Sequence, residues 1–183
     1  MSELERQFDS QHFTNEYQLV NGVVMHSENP ENFHIPPEVI KRHVSPDQFV
    51  ELRIDSPRFS IHEDAPARCS CPSCNGELTK PILKHDHPAT LLPLPKQIVP
   101  SRGWGEDFWV QVIERSDIYF RGIVDNPLIE ARLHGLKQGD EIIFNEDHIL
   151  AVHDIHRQEL IFEMDADNLK ELAKRVGELR RQG

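Results

Sequence analysis

Apolar and polar positions alternate most cleanly in the second half of the chain. Residues 108–114, Phe-Trp-Val-Gln-Val-Ile-Glu, a tight turn at Arg115-Ser116, and residues 117–124 predict a long β-hairpin. Asp125-Asn126-Pro127 closes it as a turn. Residues 128–136 read as an irregular or helical crossover. Residues 139–144 and 148–152 give two more strands, and 159–163 a further one. The period then changes to that of a helix. Leu169, Leu172, Ala173, Val176 and Leu179 form one apolar stripe, starting from Asp165 or Asp167 as N-cap and ending near Arg181. Acids at its start and Arg180 and Arg181 at its end suit the helix dipole.

In the first half, residues 1–15 are polar and predict a flexible arm. Asn21-Gly22 sits between two apolar runs of residues 17–25. Both residue types tolerate the positive φ of a type I′ turn, so a hairpin is expected there. Pro36-Pro37 opens a short helical turn over 36–42, because proline suits the first helical positions. Residues 48–54 alternate as a half-buried strand, and 58–62 give another short one. Residues 88–95 carry three prolines and read as an extended connector. The resulting organisation is a flexible arm (1–15), an N-terminal β-rich lobe (16–66), a loop and linker (67–96), and a C-terminal β lobe with its helix (97–183). Residues 44–52 and 136–144 share a turn-then-strand shape too short to establish a repeat.

Composition narrows the partners. The 31 acidic against 20 basic residues leave a net charge of −11. Such a field repels phosphate backbones, which disfavours nucleic acid and suits a basic protein or a small ligand. No apolar run approaches a membrane span, and Met1 to Arg6 has none of the features of a signal peptide.

The candidate chemistry lies in the middle. All three cysteines, Cys69, Cys71 and Cys74, fall within six residues, and His85 and His87 follow. Three thiols in one loop cannot all pair internally and suit metal ligation better than disulfides, which points to a reducing cytoplasm. Cys71-Pro72-Ser73-Cys74-Asn75-Gly76 resembles a zinc knuckle, a tight turn that aims backbone N–H groups at the sulfurs. On a strand, His85 and His87 would project to one face, as would Cys69 and Cys71. Zinc takes four such ligands. The preferred set is Cys69, Cys71, Cys74 and one histidine, His85 ahead of His87. The alternative set is Cys71, Cys74, His85 and His87, with His62 an outside choice. The zinc is expected to be structural, since a proline-rich segment without an apolar run has little else to order it. A deaminase reading fails for want of His-x-Glu, and Pro72 with Asn75-Gly76 argues against a thioredoxin-type helix start.

Elsewhere, His148, His153 and His156 with Asp154 read as solvated side chains, and Trp104, Phe108, Trp109 and Tyr119 as core. No P-loop, dinucleotide fingerprint or nucleophile elbow occurs.

Residues 105–112, 119–127, 136–144 and His148-Ile149 together resemble the YegJ-like family, bacterial domains of unknown function, over about residues 104–152. The shared pattern runs from an aromatic-Trp-Val strand through a glycine-bearing strand and an Asn-Asp-Pro-type turn to Lys-x-Gly-Asp. The resemblance implies a small, strongly bent antiparallel sheet or barrel and brings no catalytic residue with it. It departs after Ile149, where the family tends to end near Asp-Trp and this chain has Val152-His153-Asp154. The cysteine loop lies outside it.

The expected fold is α+β: two small antiparallel β lobes, the C-terminal one a bent sheet or small barrel, with a zinc-stapled loop and a C-terminal helix. The expected function is a cytoplasmic, non-enzymatic zinc-binding adaptor for a protein partner, with a homodimer through the C-terminal helix also open. The alternatives are a zinc-dependent hydrolase using a carboxylate such as Glu63 or Asp86, and an immunity or regulatory protein for a basic partner.

Overall fold

Strand residues that alternate inward and outward must find a second surface on which to bury their inward set. In the computed structural model, which describes residues 2–60 and 103–182, they bury it by curling the sheet on itself. The central strand, β2 (Phe49–Ser60), follows β1 (Gln18–Leu19). One edge of β2 pairs antiparallel with β3 (Gly103–Ser116), from Phe49 opposite Gln111 to Asp55 opposite Gly105. The other edge takes β1 at Ile54 and Asp55 and β6 (Ala151–Val152) at Val50 and Glu51. Beyond β3, the order continues through β4 (Tyr119–Val124) to β5 (Glu141–Asn145). All six strands belong to one antiparallel sheet that nearly closes into a barrel.

The inward set is the alternation itself: Val50, Leu52 and Ile54 from β2; Phe108, Val110 and Val112 from β3; Ile142 and Phe144 from β5. Phe120 and Phe144 stack 5.2 Å apart and are fully buried, each contributing about 1.5–3 kcal/mol by leaving water. Gly122 occupies the inward place on β4 between Phe120 and Val124. A Cβ there would lie 2.2 Å from Val110 Cγ1 and 2.8 Å from the Gln111 carbonyl oxygen, so β3 and β4 approach this closely only with glycine.

The α+β class, the barrel-like sheet and the C-terminal helix are as the sequence indicates. The strands assigned to two lobes run together, because β2 and β3 pair along most of their length over one core. Of residues 58–62, expected as a separate strand, 58–60 continue β2 across a register shift, and 61–62 lie outside the described residues. The N-terminal arm is helical: α1 (Glu3–Ser10) starts with a Ser2/Glu5 capping box and anchors through buried Leu4.

The hairpin expected at Asn21-Gly22 is instead the start of a helix, α2 (Gly22–Glu28). Asn21 caps it, its Oδ1 accepting the Val24 N–H at 3.0 Å. Two prolines lead into α3 (Glu38–Lys41) as expected, and the crossover carries α4 (Ala131–His134). Of residues 148–152 only β6 is strand, since Asn145 caps a 3-10 turn over Glu146–His148.

Residues 159–163 belong to a helix, α5 (Arg157–Glu163). Its inward residues, Leu160 and then Met164 at its C-cap, stand four apart, which is helical spacing. The last helix, α6 (Ala166–Gln182), begins at Asp165, whose Oδ1 accepts the N–H groups of Asp167 and Asn168.

Candidate functional site

The proposed zinc ligands Cys69, Cys71, Cys74, His85 and His87, together with His62, Glu63 and Asp86, lie outside the described residues. Ser60 and Gly103 face each other across the β2–β3 pair. The two ends of the described chain that flank residues 61–102 therefore meet at one place in the sheet. Among the described residues, no three His, Cys, Asp or Glu side chains are grouped to hold a metal ion. None of the described helices is long and apolar enough to cross a membrane.

Two of the three histidines expected in solvent are buried. His148 packs against Phe8 at 5.3 Å and its Nδ1 accepts the Asn145 N–H at 3.2 Å. Burial holds it uncharged, down to about 4. His156 stacks on Phe49 and pairs with Glu159 at 3.1 Å, while His153 meets the edge of Trp109. Phe108 is core as expected, whereas Trp109 and Tyr119 are only partly buried. The three imidazoles are packing elements of the sheet's outer layers.

One well-connected carboxylate, on β3, is not revealed by the sequence. Glu106 on β3 accepts the Ile129 N–H at 2.7 Å, the Glu130 N–H at 3.1 Å and His134 Nε2 at 2.9 Å. Burial pushes its carboxyl up, but these donors outweigh burial and hold it below the usual carboxylate range. His134 Nδ1 accepts the Leu136 N–H, so the ring proton sits on Nε2 and points at Glu106. With both ring nitrogens committed, and Tyr17 edge-on at 5.2 Å, the pair fastens α4 to β3 and has no nitrogen left for proton transfer. Burial raises the Tyr17 hydroxyl well above its ordinary range, which keeps it a phenol.

The surface with unspent binding capacity is apolar. Helix α6 lies over α3, where Arg42 and Glu171 pair at 2.7 Å. Between them, β6 and α5 leave a groove of about 450 Å³. Ile35, Ile40, Leu150, Ile161, Leu172 and Val176 supply most of its wall, with His34 and Arg157 as polar lining. Val176 remains 38% exposed and Ile161 43%, and the neighbouring Phe162 on α5 is 84% exposed. Two of these residues, Leu172 and Val176, come from the stripe that the sequence identified. The others come from segments far apart in the chain.

Compared with family models, curated proteins and solved structures, the chain finds no match in any of the three.

Proposed function

We propose that this chain is a cytoplasmic, non-enzymatic protein-interaction module whose groove beneath α6 takes apolar side chains of a cationic partner. The same proposal assigns a structural zinc to residues from Cys69, Cys71, Cys74, His85 and His87. The observation that carries the reading is the groove itself: several apolar side chains, drawn from four elements, remain partly in water at one place.

Apolar grooves of this kind accept side chains of an amphipathic segment. The net charge of −11 decides between occupants, since it favours a positively charged protein and opposes pairing with a second copy. The Glu106–His134 pair, whose donors and acceptors are spent within the fold, supports a structural rather than a catalytic role for the polar interior. Kinship with the YegJ-like family over about residues 104–152 belongs to the same proposal, and it leaves the partner open.

The test is a fluorescence titration of the full chain with an amphipathic Leu/Lys helical peptide at low and high salt. Saturable, salt-weakened binding that falls at least about tenfold in Leu172→Glu is the expected result. Ile129→Glu, on a residue 87% exposed and outside the groove lining, should leave it unchanged. Equal binding by all three proteins would overturn the reading, and concentration-dependent dimerisation that Leu172→Glu abolishes would assign the groove to a second copy instead.

A further inference from the structure

A cleft of about 590 Å³ lies where the end of α1, the turn before β1 and His148 meet. It shares no lining residue with the groove beneath α6. Three aromatic side chains, Phe8, Phe13 and Tyr17, line it together with two carboxylates, Asp9 and Glu16. Phe8 and Phe13 are only half-buried, so part of each ring stays accessible. The lining contains no Lys or Arg. Burial keeps His148 uncharged, which leaves the exposed His12 as the one other lining group able to carry positive charge.

The backbone fixes one of the two acids in place. Asn15 and Glu16 have φ of 56° and 60°, a left-handed region that a side chain as large as glutamate seldom adopts. Asn15 holds the turn: its Nδ2 donates to the Leu133 carbonyl at 2.7 Å, and its own carbonyl accepts the Ser56 hydroxyl at 2.7 Å. Two consecutive left-handed residues, pinned to α4 and β2, thus set Glu16 and the buried Tyr17 at the same cleft. Aromatic rings attract a cation, above all one with little hydration to lose, and carboxylates supply the opposite charge. The net charge of −11 raises the local concentration of any such cation.

We propose that this cleft binds a quaternary ammonium head group, its alkylated nitrogen set among Phe8, Phe13 and Tyr17 and neutralised by Asp9 and Glu16. An uncharged isostere gains the apolar contact alone, and a carboxylate is repelled by both acids. The site does not depend on what occupies the groove beneath α6.

The test titrates the full chain with choline, with its uncharged isostere 3,3-dimethylbutan-1-ol and with a short trimethyllysine peptide, read by amide chemical shifts and calorimetry. Choline should shift the amides of Asp9, Phe13 and Glu16 saturably, and the isostere should bind at least about tenfold more weakly. The double variant Asp9→Asn/Glu16→Gln, at two exposed side chains, should lose at least about tenfold in choline affinity. Asp154→Asn, at an exposed carboxylate outside the lining, should keep the parent affinity. The peptide arm identifies the carrier of the head group: tighter binding than choline assigns the site to a methylated side chain, weaker binding to a free ligand, and either supports the site. The inference is overturned if the isostere matches choline, if neither choline nor the peptide moves these amides, or if the double variant binds like the parent.

Discussion

At His148 the ring stays uncharged at neutral pH because ionising it would strand a charge among Phe8 and the barrel wall. Its folded value of about 4 lies below the unfolded 6.5. Below pH 6.5 the unfolded chain therefore binds a proton that the folded one refuses. The stabilisation is complete above 6.5 and is lost as pH falls through about 4. Between pH 7 and 5 this removes on the order of 2 kcal/mol. Urea unfolding at the two pH values should show that loss, and His148→Gln should shrink it. Glu130 and Glu146, raised chiefly by burial, act with the opposite sign and are strongest at low pH. Glu106 is held low, so its contribution is present at neutral pH and disappears in acid. Removing it in Glu106→Ala strands two backbone N–H groups and His134, and should cost about 2–4 kcal/mol in unfolding free energy. Neither His148 nor His134 announces its burial in the sequence, because which ring is covered depends on Phe8 and Tyr17 arriving from the distant N-terminus.

Elements were legible where their period is long and unbroken. β3, β4 and α6 follow directly from alternation and stripe, and the same is true of the prolines that open α3. The failures were local motifs with two readings. Asn-Gly serves a hairpin or a helix start, and here the space around Gly22 decides. A Cβ on Gly22 would lie 2.7 Å from Leu150 Cδ2 and 3.1 Å from the Asp147 carbonyl oxygen. Gly22→Ala should thus destabilise the protein by roughly 1–3 kcal/mol, measured by denaturant unfolding, although alanine is the better helix former. The Ser2-x-x-Glu5 box stands in the sequence, but the polar stretch around it carries no apolar period to mark a helix. Past α1, the Gln11 side-chain amide acts as a strand partner, accepting the Ile143 N–H at 2.8 Å and donating to the Ile143 carbonyl at 2.9 Å. It thereby covers the outer edge of β5, which would otherwise be open to pairing. Gln11→Ala should speed hydrogen exchange at the Ile143 amide on the order of tenfold and leave the Val110 amide in the sheet's middle unchanged.

For the whole molecule, the sheet is continuous where the sequence suggested two lobes. A strand's neighbour is a long-range property, and the paired stretches of β2 and β3 are separated in the chain by residues 61–102. Closing so long an excursion costs chain entropy, and a metal bound within it can offset that cost by on the order of 10 kcal/mol. In the proposed reading, the net negative charge and the groove beneath α6 receive the partner, and the zinc is held by residues from Cys69, Cys71, Cys74, His85 and His87. The most direct measurement is metal content of the purified full chain alongside Cys71→Ser, with chelator titrations of both. About one equivalent of tightly held zinc, lost in Cys71→Ser and with no exchangeable water in the spectrum of a cobalt-substituted sample, is the predicted result. A metal-free chain that is folded, monodisperse and unmoved by chelator would contradict it.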